Sequence, residues 1–239
     1  MIKLHPKRDI LSSFVSDELP VSLSVIVSSH VELCPCCQSE IQVLTEQAAN
    51  ACFAQADTFS SQNVLSYSSE HEINVADIAL DELDMAMFNS ITDELPGSRE
   101  EVLSDAFEAE FIDVCDVSIP MPRALRTLEM KPFQGLGKLS RSRVLLEDGA
   151  LRTSLLHIET GGSVPTHTHK GFEVTLLLQG SFEDEMGTYH AGDFIWLDGN
   201  HTHQPVTKTG CVCLTVSNDA IHFTKGMSQL LNPIGQFIY

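Results

Sequence analysis

The chain has 239 residues, with 33 Asp and Glu against 14 Lys and Arg and a net charge of −19. Affinity for a phosphate backbone comes from Lys and Arg, so direct nucleic-acid binding is disfavoured. Hydrophobic residues make up 43%, as in ordinary globular proteins, and no apolar run approaches the roughly 20 residues of a membrane span.

The best apolar run, residues 21–27, is short and carries Ser22 and Ser24. The opening residues show no signal-peptide pattern, so a cytoplasmic location with no membrane contact is expected. The 7 Cys cannot all pair internally. In a cytosolic chain, clustered Cys point to metal binding or redox chemistry more than to disulfides.

The charge is uneven. Residues 1–117 hold 4 Lys and Arg (Lys3, Lys7, Arg8, Arg99) against 22 Asp and Glu, a balance of −18. From residue 118 onward the count is 10 against 11, a balance of −1. The acidic part serves either solubility or docking of a basic protein.

In chain order, residues 8–56 read as helices, with Ile10, Leu11, Phe14 and Val15 at helical spacing. Residues 57–72 are polar and read as a linker. Leu80, Leu83, Met87 and Ile91 then mark one helix face, ended by Pro96 and Gly97. That face suits a core or a protein groove. Residues 98–117 are acidic, with alternating Phe, Ile and Val near their end, and read as a connection. After residue 118 the texture changes to short apolar runs separated by Gly, at 151–158, 172–178, 194–197 and 211–216. Many short strands with Gly-rich turns argue for a sandwich or barrel. The expected fold class is therefore α+β in two domains, a small helical bundle followed by a β-barrel. The expected divisions are 1–95, an acidic linker at 96–117, and 118–239.

Two residue sets carry chemistry. In the first, His30 and Cys34 are four apart, and Pro35 suits the first position of a new helix. Cys34 then sits at the helix cap, and Cys37 lies three residues further on. Cys-x-x-Cys is a common bite for zinc, His30 offers a third ligand, and His5, just before the first helix, offers the fourth. Cys36 leaves a Cys-x-Cys alternative open, or a redox role. Packed thiols around a satisfied His are the plainer reading. This pattern resembles the zinc-binding anti-sigma domain. The resemblance implies a structural zinc in a helical bundle that clamps a sigma factor away from core RNA polymerase.

In the second set, His167 and His169 alternate on a strand and so face the same way. Glu173 follows after a Gly turn, and His203 comes one hairpin later. Three imidazoles and a carboxylate suit zinc, iron, manganese or nickel. The set resembles the cupin fold, a small jelly-roll β-barrel. The first cupin motif, Gly-x5-His-x-His-x3-Glu-x6-Gly, is matched at Gly161, His167, His169, Glu173 and Gly180. In the second motif Gly192 and His203 match, whereas Asp198, Asn200 and Thr207 depart from it, leaving His201 as a rival ligand. Cys211 and Cys213 share one face of a late strand, as buried small side chains or as a redox pair. His157, His190 and His222 are read as structural or surface residues.

Together the two halves resemble the ChrR family of anti-sigma factors over nearly the whole chain. That resemblance implies a non-enzymatic regulator of an ECF-type sigma factor, with no catalytic residues. Zinc would sit at the helical site, and zinc or another divalent transition metal in the cupin. The cupin would respond to singlet oxygen or related oxidants. Two other readings stand beside it: a metal-dependent cupin dioxygenase or isomerase with an accessory helical domain, and a metal-storage or metal-chaperone protein.

Overall fold

The computed structural model describes residues 2–63, 110–115 and 117–224. Three helices come first: α1 (Arg8–Val15), α2 (Val21–Leu33) and α3 (Pro35–Asn63). Strands follow as β1 (Phe111–Val114), β2 (Val117–Pro120), β3 (Gln134–Leu136), β4 (Leu139–Val144), β5 (Arg152–Ile158) and β6 (His167–His169). The remainder are β7 (Phe172–Asp184), β8 (Gly187–His190), β9 (Phe194–Asp198), β10 (Thr202–His203), β11 (Cys211–Ser217) and β12 (Ile221–Phe223). A short 3-10 turn at Arg123–Leu125 precedes β3.

The chain divides into two compact units, Met1–Ala49 with Glu110–Tyr239, and Asn50–Ala109. The first helices and the strands therefore share one unit. In it a large antiparallel sheet runs β3-β4-β5-β11-β7-β8, with β9 also paired to β7. A smaller sheet runs β10-β6-β12. β1 and β2 form a separate hairpin, whose turn carries Cys115 at φ 55. This is the cupin-like helical-plus-barrel architecture that the sequence pattern implies.

β11 is the central strand of the large sheet and is buried along nearly its whole length. Its side chains alternate between two environments. Leu214 pairs with Leu155 of β5 and Leu176 of β7, and all three belong to the cluster that includes Leu23, Ile26 and Val27 of α2. Cys213 pairs with Leu156 and Leu177 on the opposite, inner face. The outer face of the central strands would be open to water if α2 did not cover it. Val25, Ile26 and Val27 are β-branched and poor helix formers. Tertiary packing overrides that preference, because α2 is buried on several sides, including Ser22, Ser29 and His30. Burial of Ile26 alone contributes about 1.5–3 kcal/mol, and its side chain is fully buried. The short apolar run at 21–27 is thus the first half of a largely buried helix, with Val21 exposed at its start. Among the described residues, no helix is long and apolar enough to cross a membrane.

Two sequence expectations need correction. α3 continues to Asn63, into the segment read as a linker from 57. No Pro or Gly lies between Cys36 and Asn63 to stop it. β1 and the first residue of β2 lie inside the segment read as a connection, where the alternation of Phe111, Ile112, Asp113 and Val114 was a period-two signal. The helix face at Leu80, Leu83, Met87 and Ile91 lies outside the described residues.

Candidate metal centres

The helical cluster forms where α2 ends and α3 begins. Cys34 is the extended residue between the helices (φ −116, ψ 101), and Pro35 opens α3. Cys37 is one turn into α3, so its thiol comes back toward His30 on the last turn of α2. Cys34 and Cys37 are buried, whereas Cys36 is exposed and points away. His5, on the segment before α1, completes the group. One donor atom from each of His5, His30, Cys34 and Cys37 lies within 4.8 Å of the others. His30 Nε2 is 3.3 Å from Cys37 Sγ, and His5 Nδ1 is 3.3 Å from Cys34 Sγ and 3.5 Å from Cys37 Sγ. A tetrahedral zinc, with Zn–S about 2.3 Å and Zn–N about 2.0 Å, spaces S and N donors about 3.5 Å apart.

The electrostatics fit a cation as well. Burial lowers His30 to about 4, so its imidazole is neutral at pH 7. Its Nδ1–H donates to Gly192 O at 2.9 Å, leaving the Nε2 lone pair facing Cys37. Burial, and then the neighbouring Cys34, push the Cys37 thiol up to about 12. Two thiolates cannot coexist there without a positive charge between them, and a divalent ion supplies it.

The barrel cluster brings together His167 and His169 of β6, Glu173 of β7 and His203 of β10, again within 4.8 Å. β6 is buried at both His and half-exposed at Thr168 between them, as the alternation requires. β10 pairs antiparallel to β6 with His203 opposite His167, which sets the third imidazole beside the first two. His203 Nε2 lies 3.0 Å from His167 Nε2 and 3.4 Å from His169 Nε2. His169 Nε2 lies 2.9 Å from Glu173 Oε2. His201, the rival, is part-exposed on the turn and bonds Asp198 through Nδ1 at 2.8 Å.

The outer nitrogens decide what faces the centre. His167 Nδ1 meets Pro165 O at 2.9 Å, and His203 Nδ1 meets Asp184 Oδ2 at 3.0 Å. With both Nδ1 atoms protonated for those acceptors, two Nε2 lone pairs face each other across 3.0 Å. A cation between them resolves that conflict. Burial takes His167 to about 4, so it carries no charge of its own near neutrality. Burial alone would raise Glu173, but the bond from His169 and positive charge at the imidazoles bring it below its ordinary value. A bound cation would supply that positive charge at neutral pH. The residues at both sites therefore fit a divalent ion held by neutral imidazoles and ionised partners.

Sequence reasoning missed Asp184. Its carboxylate is buried, and its second oxygen accepts from Met186 N–H, Gly187 N–H and Tyr189 Oη. An acid beside a Gly turn is too common to signal this role. Carboxylate partners of metal-bound His typically tune affinity 10–100-fold. Asp184→Asn is accordingly expected to weaken metal binding at the barrel site about 10–100-fold. Chelator competition on the purified protein reads this, and the metal at the cysteine site should be unchanged.

The barrel site opens on a cavity of about 560 Å³, walled by apolar side chains including Leu139, Leu156, Ile158, Phe182 and Phe223. His167, Glu173 and His203 border it, and so does Cys213. Cys211 and Cys213 are both buried free thiols on the inner face of β11. The Cys213–Cys211 hydrogen bond lowers Cys211 and raises Cys213, and burial adds to the rise at Cys213. His157 is buried, while His190 and His222 are exposed.

The fold and the two donor sets define a class: a cupin-like barrel carrying a helical His/Cys cluster that could hold a metal ion. Residues 124–220 match the family described as the ChrR cupin-like domain. The anti-sigma-E factor ChrR of Cereibacter sphaeroides is 26% identical over 234 residues, covering 97% of each chain. A crystal structure of Rhodobacter sphaeroides SigE in complex with the anti-sigma ChrR matches with TM-score 0.55 and 22% identity, over 91% of this chain and 100% of that one. The barrel is thus similar to the ChrR cupin-like domain, and the likeness to ChrR runs the length of the chain.

Proposed function

We propose that this chain is an anti-sigma factor. It holds an ECF-type sigma factor in the cytoplasm and releases it under oxidative stress of the singlet-oxygen kind. In this reading residues 1–95 hold the sigma factor and 118–239 carry the response, with β1 and the first residue of β2 falling in the segment between them. Zinc at His5, His30, Cys34 and Cys37 fixes the start of α3 against α2, because metal binding in such small assemblies is coupled to folding. The ion at His167, His169, Glu173 and His203, zinc or another divalent transition metal, serves the response. The observation that carries the reading is the likeness to an anti-sigma factor over 97% of both chains, joined to a helical His/Cys cluster that a plain cupin enzyme does not need. The acidic balance of −18 in residues 1–117 supports it, since a sigma factor is a basic, DNA-binding partner that an acidic surface can steer and cover.

The test is affinity purification of the tagged full-length protein from its native cytoplasm, with metal measured on the same sample. A sigma factor at 1:1 and about two divalent ions per chain, one per donor set, is the expected result.

One feature favours a second reading. The apolar cavity beside three imidazoles and a carboxylate is suited to a small organic substrate at a metal with an open position. Absence of a sigma partner, with small-molecule turnover that depends on Glu173, would establish a metal-dependent dioxygenase or isomerase instead.

A further inference from the structure

The turn at residues 190–194, between β8 and β9, belongs to the barrel, yet it bonds one donor of the helical cluster and the segment that carries another. Gly192 O accepts the His30 Nδ1–H bond at 2.9 Å and so sets which nitrogen faces Cys37. Asp193 is 1% exposed and bonds the backbone just before the other imidazole ligand. Its Oδ1 accepts Lys3 N–H at 2.7 Å and Leu4 N–H at 3.1 Å, and its Oδ2 accepts His190 N–H at 2.9 Å. Phe194 N–H donates to Leu4 O at 3.0 Å. His5 is the next residue. It lies outside any helix or strand, so these bonds fix the backbone that presents its Nδ1 to Cys34 and Cys37. The contact is close. Gly192 has φ +93, and a Cβ there would come within 2.5 Å of Ile2. Burial acts to raise the Asp193 carboxyl, but its three backbone N–H bonds hold it below the usual range, so it is an anion at neutral pH.

We propose that Asp193 is a positioning residue for the helical metal site, setting His5 so that the barrel itself tunes how tightly that ion is held. The inference rests on the reading that His5, His30, Cys34 and Cys37 bind a metal. It means that the affinity of the helical site is a property of the whole assembled unit. From this turn β9 runs on to Leu197, which pairs with Glu173. The two donor sets are therefore joined by one strand.

The test uses the full-length protein loaded with Co²⁺ as the probe. A thiolate-to-cobalt charge-transfer band reports Cys34 and Cys37 alone, because the three-His, one-Glu barrel set has no sulfur. Asp193→Ala is expected to speed loss of this band to a chelator by about 10–100-fold, in line with outer partners of metal ligands. Cobalt in the barrel and the far-ultraviolet circular dichroism should be unchanged. Asp193→Asn keeps an oxygen acceptor for Lys3 and Leu4 and should fall nearer the wild type. It also covers the case in which the Ala variant folds poorly. His5→Ala should give a similar loss, and the His5→Ala, Asp193→Ala double variant should be no worse than His5→Ala alone. A merely structural Asp193 would give additive effects. Additive losses, or an Asp193→Ala band as durable as the wild type, overturn the inference. No charge-transfer band in the wild type would instead refute the metal reading beneath it.

Discussion

Replacing both Cys34 and Cys37 by Ser is expected to remove one metal ion per chain and to abolish sigma binding if the proposed function holds, the largest effect expected of any substitution here. The two thiols are buried donors in a cluster of four. Structural zinc contributes roughly 10–16 kcal/mol of apparent binding free energy in small zinc modules, against about 5–15 kcal/mol of net stability for a whole domain. Losing that ion leaves the His5 segment and the first turn of α3 without their common tie. α2 has a second anchor, since Leu23, Ile26 and Val27 pack with Leu155, Leu176 and Leu214 of the barrel. Its N-terminal end is also tied by Ser22 N–H to Asp148 at 2.7 Å. The expected product is therefore a folded barrel with α2 still seated and the first turn of α3 loosened, not a wholly unfolded chain. Hydrogen exchange would show protection lost at the start of α3 and kept in β5, β7 and β11. Cys36→Ser is the control. That thiol is exposed, and its replacement should stay within about 0.5 kcal/mol with metal and partner retained. A folded double variant that binds its sigma factor undiminished would rule out the clamp.

The two clusters of candidate donors were legible in the sequence because their spacing has a mechanism. His-x-His on a strand puts two imidazoles on one face, and Cys-x-x-Cys at a helix start brings two thiols together. The open choices between Cys36 and Cys37, and between His201 and His203, turned on which way a single turn points. Spacing does not encode that. The outer-face packing was less visible. α2 shows in its sequence that it is apolar on several sides, but not that its cover is the central sheet of the barrel. Long-range pairing depends on where β5, β7 and β11 come together, residues 120 or more further along the chain. Asp184 and Asp193 gave no signal at all. Each is an acid near a Gly turn, the commonest solvent-exposed pattern, and each is distinguished only by what folds back onto it.

His169→Ala is the second large effect, and it separates the two sites. His169 is 2% exposed, and its Nε2 sits between Glu173 at 2.9 Å and His203 at 3.4 Å. Removing it leaves three donors and takes the imidazole partner from the part-buried carboxylate of Glu173, so the barrel ion is expected to be lost and metal content to fall by one per chain. The strand itself should survive. β6 is held by backbone pairing to β10 on one side and β12 on the other, and neither ladder needs the imidazole. The helical cluster keeps all four of its donors and the Gly192 and Asp193 contacts, so sigma binding in reducing, dark conditions is expected to stay within about twofold of the wild type, below the 1.4 kcal/mol that a tenfold change represents. Release of the sigma factor on exposure to singlet oxygen should be abolished. Glu173→Gln, which keeps the shape and removes the charge, should reproduce the loss of response with less strain on the barrel. Binding and release measured on the same preparation decide the matter. Loss of both functions in a folded His169→Ala protein would contradict separate roles for the two ions. An undiminished response without the barrel ion would move sensing away from it, toward the buried Cys211 and Cys213 thiols on the same inner face.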